Sequence, residues 1–239
     1  MTPSKWAWQQ ARPRAGAAVL LLFALCLTPA RAATGGAGAQ ARPCPDGVGA
    51  VVTGASDPDL ADVCRGVAAA LGFFAAHGIR PTELITVEVT PALPAEAGPT
   101  AAGCYIEPKR RVFVLPYAVF RKSKTWFGVP IDRSMYQSLA SHEAAHAIAA
   151  CHFSVPNPSI QAEEYLAYVT MFSTMPAALR QRALRATPTQ GFDSLDRFTP
   201  MLYLFDPMRF GAEAYRHFAK TADPAALIQS VLGGMALRD

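Results

Sequence analysis

Ser141-His142-Glu143-Ala144-Ala145-His146-Ala147-Ile148-Ala149-Ala150-Cys151-His152-Phe153 is the stretch on which the reading of this chain turns. His142, Glu143 and His146 spell His-Glu-x-x-His. On a helix, residues i and i+4 lie on one face, so both imidazoles can reach a single metal ion. Glu143, next to the first imidazole, can reach a water held by that metal. Asp132 is placed to cap the helix, and Met135, Tyr136, Leu139 and Ile148 give it an apolar stripe. With five His and eight Glu in 239 residues, chance places this pattern in roughly a few chains per thousand. A metal site is therefore the better reading than a merely structural helix.

Working towards the N-terminus, Lys5, Arg12 and Arg14 precede an apolar run from Ala15 to Leu27, and Ala30-Arg31-Ala32 is a small-x-small cleavage signal. Residues 1–32 read as a signal peptide, residues 33–43 as a flexible leader, and residues 44–239 as one domain. The apolar run is short for a bilayer span, so no stable membrane span is expected after cleavage. The expected location is periplasmic or secreted. Four of the 22 Lys and Arg residues lie before residue 33, which leaves 18 basic against 18 acidic residues. That balance removes the electrostatic argument for nucleic-acid binding. A local cluster remains: Lys109, Arg110, Arg111, Arg121, Lys122 and Lys124. It reads as a solvated face or as an attraction for an anionic substrate. After cleavage four cysteines remain, Cys44, Cys64, Cys104 and Cys151. An even count in an exported chain suggests two disulfides, Cys44–Cys64 and Cys104–Cys151, although four cysteines allow three pairings. Closing the first loop is worth about 3 kcal/mol in the chain-entropy account.

The hydrophobic pattern gives a helix over 57–77, started by Asp57-Pro58 and stopped at Gly78, then a strand at Ile85–Val89. A Pro, Ala and Gly-rich loop follows. Strands at Cys104–Ile106 and Arg111–Leu115 flank a turn at Glu107-Pro108-Lys109. A short helix over 117–123 and the aromatic pair Trp126 and Phe127 lead into the metal helix. Beyond it, Asn157-Pro158, Pro176, Asp206-Pro207 and Asp223-Pro224 each open a helix, and Met201–Phe205 reads as a strand or buried turn. The order is α+β: a small antiparallel sheet packed on a mainly helical domain.

Two imidazoles do not hold a catalytic metal alone; a third protein ligand is expected. His152 lies six residues past His146 and points elsewhere. Glu164, in the next helix, is the better third ligand, with its neighbour Glu163 the competing choice, because only one of two adjacent helical residues faces inward.

His142-Glu143-x-x-His146 followed by Glu164-x-x-Ala167 resembles the gluzincin zinc metallopeptidases, the group containing thermolysin and related aminopeptidases. The whole mature chain also resembles an uncharacterised family of small secreted bacterial proteins that carry this motif with later Asp-Pro-Met-Arg-Phe and Tyr-Arg-His-Phe segments. The gluzincin resemblance implies Zn²⁺ held by His142, His146 and Glu164, Glu143 as general base, and a peptide or protein substrate. It also implies that the strand before the metal helix, Arg111–Leu115, is the edge that binds an extended peptide. In thermolysin-like enzymes an Asp four residues after the glutamate ligand orients a ligating His; here that position is Tyr168. Asp206 is a candidate partner for a ligating His instead. Tyr168, Tyr215 and His217 are candidate oxyanion donors. Two other readings stand beside the peptidase: a non-catalytic zinc-binding envelope protein, and a helical adaptor presenting the aromatic-rich segment 198–218. Oligomeric state is not legible.

Overall fold

Alternation in Ile85-Thr86-Val87-Glu88-Val89 buries Ile85, Val87 and Val89 and turns Thr86 and Glu88 outward. Around this strand the chain builds one face of its core. The computed structural model describes residues 40–238; residues 1–32, expected to be a signal peptide, and most of the expected leader lie outside that range. In chain order the elements are β1 (Arg42–Pro43), β2 (Ala50–Thr53), α1 (Asp57–Ala76), β3 (Ile85–Val89), β4 (Gly103–Ile106), β5 (Arg111–Val114), α2 (Tyr117–Phe120), β6 (Thr125–Trp126) and β7 (Val129–Pro130). The helical half follows: α3 (Arg133–Ala150), α4 (Ile160–Thr174), α5 (Ala177–Ala186), α6 (Pro200–Phe205), α7 (Pro207–Lys220) and α8 (Pro224–Leu232). This is an α+β architecture.

The sheet runs β1-β2-β3-β5-β4. It is mixed, not antiparallel as the hairpin signal suggests. Helix α1 crosses over between β2 and β3, and such a crossover returns the chain parallel. The excursion through β4 brings β5 back parallel to β3. Only β1–β2 and β4–β5 are antiparallel. Strand β4 therefore forms the edge, and β5, expected at the edge, is interior. Residues 42–43, expected within the flexible leader, pair with β2 instead.

The helix starts follow local chemistry. Asp132 accepts from the Met135 amide at 2.8 Å and caps α3. Asp206 and Asp223 cap α7 and α8 in the same way. At α1 the cap is Ser56, one residue before the expected Asp57. At α4 it is Ser159, two residues after the expected Asn157. Met201–Phe205 is neither strand nor buried turn: Thr199 caps a short helix there, and Met201, Leu204 and Phe205 are exposed.

Helix α3 sits between α1 and α4. On the α1 side Gly66 removes the obstacle, since a Cβ there would lie 2.7 Å from the Ala140 Cβ. A polar clamp fixes the register. Arg133 reaches the buried Asp59 at 2.6 Å and the buried Asp62 at 2.9 Å, and Gln137 donates to Asp62 at 2.8 Å. On the α4 side, Ser141 Oγ lies 2.9 Å from Thr174 Oγ1 of a helix that buries Tyr165, Leu166, Val169 and Phe172.

Cys44 and Cys64 form a disulfide that ties the β1–β2 arm to α1. Cys104 and Cys151 are free, against expectation. The Cys104 thiol lies near Glu143, eight residues before Cys151 and so about 12 Å away along the helix. It is Tyr105, the next residue of β4, that lies near Cys151.

Removing Arg133 leaves the buried Asp59 without a cation and the buried Asp62 with Arg65 alone. Arg133→Ala should cost about 2–3 kcal/mol, below the usual figure for breaking a buried pair because its side chain is 42% exposed. The midpoint of thermal unfolding should fall by about 5–10 °C, whereas an unchanged midpoint would mean the clamp contributes nothing.

Candidate metal centre

Two consecutive long helices supply the centre. His142 and His146, one turn apart on α3, face α4, and Glu164 on α4 faces back. The two Nε2 atoms are 3.3 Å apart. Glu164 oxygens lie 3.5 Å from His142 Nε2 and 3.7 Å from His146 Nε2. Ligands about 2.1 Å from a tetrahedral centre lie about 3.4 Å from one another, so the spacing fits a small divalent cation. A shared proton can satisfy one of these contacts; a cation satisfies all three. Among the described residues these three form the one group of His, Cys, Asp or Glu side chains spaced to hold a metal ion. Glu164, not Glu163, faces the imidazoles.

The electrostatics point the same way. Burial holds the His146 imidazole down at about 4. Burial also drives His142 well below the ordinary histidine value, with His146 adding to it. The Glu164 carboxyl is pushed up to about 8, again by burial, with the Tyr203 hydroxyl acting the other way as a hydrogen-bond donor. Glu164 Oε2 itself has no hydrogen-bond partner. Neutral imidazoles are ready to ligate, and a bound cation would restore the charge on the carboxylate that burial keeps protonated, because it offsets the desolvation.

Glu143 is buried beside this group, and burial first, then the Glu164 charge, raises its carboxyl well above the usual range. Its side chain lies across β4. A Cβ added to Gly103 would lie 2.8 Å from Glu143 Oε1, so only glycine leaves room there. The half-buried Cys104 on the same strand has its thiol raised to about 12 by burial, with Glu143 adding to it.

The remaining candidates separate. Tyr168 is in the site: its ring meets the His142 ring edge-on at 4.5 Å. Gly211 of α7 leaves room for that ring, which a Cβ would meet at 2.6 Å. Tyr168 thus holds the His142 imidazole by packing. Trp126 also neighbours the His142 ring, with centroids 6.4 Å apart. His142 Nδ1 is buried without a hydrogen-bond partner. Asp206 does not fill that role; it caps α7 and is exposed. Tyr215 packs on Phe172 and Arg180. His217 Nδ1 is 2.7 Å from the Tyr165 hydroxyl. Neither belongs to the centre. His152 is taken up by the carbonyls of Ile148 and Arg80. Sequence reasoning missed Tyr203, because its segment reads as a strand or turn; the helical spacing of Pro200–Phe205 was the available signal.

With this geometry in place, the chain can be assigned: it belongs to the family described as "Family of unknown function (DUF6639)", whose model matches residues 50–239. No curated protein and no solved structure matches it.

Metal binding should be readable as stability. In the metal-free protein Glu164 has a raised folded-state value, so its contribution is present at low pH and lost as pH rises through about 8. The depressed His146 acts oppositely: its cost falls on the acid side, below the ordinary histidine value and towards about 4. A metal needs Glu164 ionised and His146 neutral, so its stabilisation grows with pH. Stripping the protein with chelator should lower the unfolding midpoint more at pH 8.5 than at pH 6. His146→Ala should abolish the difference. Insensitivity to chelator at both pH values would exclude a bound metal.

Proposed function

We propose that the protein is an exported zinc-dependent peptidase of the gluzincin kind, with Glu143 as its general base. The observation that carries this reading is the convergence of His142, His146 and Glu164 on one point with the Glu143 carboxyl beside them. Bound there, a zinc ion supplies a nucleophilic water at neutral pH and polarises the scissile carbonyl. Two imidazoles and one carboxylate at this spacing suit zinc and leave a fourth position for solvent or substrate.

The chain's own residues do the rest. Glu143, with its raised carboxyl, takes a proton from the attacking water and passes it to the departing amine. Gly103 keeps β4 clear of that carboxylate. As the edge of the sheet, β4 offers backbone donors and acceptors to an extended peptide by strand addition. This is the role expected of Arg111–Leu115, moved to its hairpin partner. Tyr168 and Tyr203 both keep their phenolic protons, because burial raises their values well above 10 and the nearby Glu164 adds to it. The Tyr168 hydroxyl is available to stabilise a developing oxyanion, and that of Tyr203, which donates to Glu164, becomes so once a cation takes its place on that carboxylate. Tyr168 also fixes the plane of His142.

Export is supported by the Cys44–Cys64 disulfide. No helix among the described residues is long and apolar enough to cross a membrane. One observation favours a second reading, a zinc-binding protein without turnover: the ligands are nearly sealed, His146 being the most open with its side chain 15% exposed.

Glu143→Gln should retain one zinc per chain and lose peptide hydrolysis by about 10³-fold or more, a loss on the scale of removing a general base. Undiminished cleavage by that variant removes Glu143 from the mechanism. Full zinc occupancy in the wild type with no cleavage across a broad peptide library establishes the second reading. Tyr203→Phe should lower kcat by about 10²-fold with KM little changed; a change in KM alone would place Tyr203 in substrate binding.

A further inference from the structure

The fold divides the basic residues between Lys109 and Lys124 into two groups. Lys109, Arg110 and Arg111 are paired with Glu96, Glu83 and Glu88. Arg121, Lys122 and Lys124 are exposed, and among the described residues none has a carboxylate partner within ion-pair distance. Arg121 lies over the Tyr117 ring, which leaves its charge unneutralised. These three residues form the turn that leads directly into β6. Two residues beyond Lys124, Trp126 is half-buried against the His142 ring. The turn that carries the unpaired charges therefore ends two residues before a ring that touches a metal ligand, while the neutralised group lies on the turn before β5 and at its start. No Asp or Glu occurs between Glu107 and Asp132 to offset them. Across the β6–β7 turn, Gly128 packs on Ala186 of α5, which adds the exposed Arg185.

We propose that Arg121, Lys122 and Lys124 are a specificity rim that selects peptides bearing Asp or Glu side chains next to the segment held at the metal centre. This rests on the peptidase reading above. The three cations lie in water, so each contributes little to stability. Their joint field acts on an approaching charged chain instead, over about 8 Å at physiological salt. Trp126 adds an apolar surface beside them. The mature chain carries no net positive charge, so the attraction is confined to this rim and does not extend to polyanions in general.

The test compares three peptides of equal length around one cleaved core, flanked by Glu, Gln or Lys pairs. Wild-type protein should show kcat/KM about tenfold higher for the Glu peptide than for the Lys peptide at about 20 mM salt, with the ratio approaching one at about 0.5 M salt. Lys122→Glu/Lys124→Glu should invert the order and leave the Gln peptide unchanged. Equal turnover of the Glu and Lys peptides overturns the rim and leaves the peptidase reading standing. If the broad library yields no cleaved core, the peptidase reading falls and binding of the three peptides decides the rim. In fluorescence anisotropy with zinc-loaded Glu143→Gln protein, the labelled Glu peptide should bind about tenfold more tightly than the Lys peptide, and the double charge reversal should abolish the difference. No difference, or tighter binding of a single-stranded oligonucleotide of equal charge, overturns the proposal.

Discussion

Burying four ionisable side chains where two helices cross is the constraint on which the rest of the structure depends. His142, Glu143, His146 and Glu164 lie among apolar residues that exclude water, and every shift in their proton affinities has burial as its largest cause. A carboxylate in such a place is costly unless a cation or several hydrogen bonds meet it. Glu164 has an oxygen without a hydrogen-bond partner, and so does the far nitrogen of His142. A divalent ion at the point the ligands share offsets most of that cost, which is why the arrangement reads as a metal centre and not as a strained piece of core.

The remainder of the fold holds that crossing in place. Gly66 and the Arg133 clamp fix α3 against α1 from one side. The apolar stripe of α4 fixes it from the other. Gly103 and Gly211 do similar work at closer range: one lets a strand edge pass Glu143, and the other lets α7 pass Tyr168. The aromatic rings of Trp126 and Tyr168 both pack on His142. Ring packing, and not a hydrogen bond to Nδ1, holds this imidazole in place.

Much of this was legible in the sequence, and the parts that were not share a physical reason. His142, His146 and Glu164 were readable because helical periodicity relates residues one turn apart and because Glu164 opens the next apolar stripe. Capping by Asp132, Asp206 and Asp223 was readable for the same local reason. The strands β2 and β7 were not, because two to four residues carry too little alternation to stand out. Strand order was not, because it depends on a crossover that no local pattern encodes. The free state of Cys104 and Cys151 follows from which face of β4 meets α3, again a tertiary fact. Tyr203 lay hidden in an apolar run whose exposed members, Met201, Leu204 and Phe205, look like core when met without a fold. Position 168 was readable as an anomaly, and the structure explains it as ring against ring.

Zinc-edge X-ray absorption on protein purified without added metal, from cells grown in a medium that contains zinc, tests the centre most directly. The account predicts one zinc per chain with a first shell of two imidazole nitrogens and carboxylate or water oxygens at about 2.0–2.2 Å, and loss of the imidazole signal in a His142→Ala, His146→Ala protein. A first shell containing sulfur, or zinc whose signal is unchanged in that double variant, would contradict it.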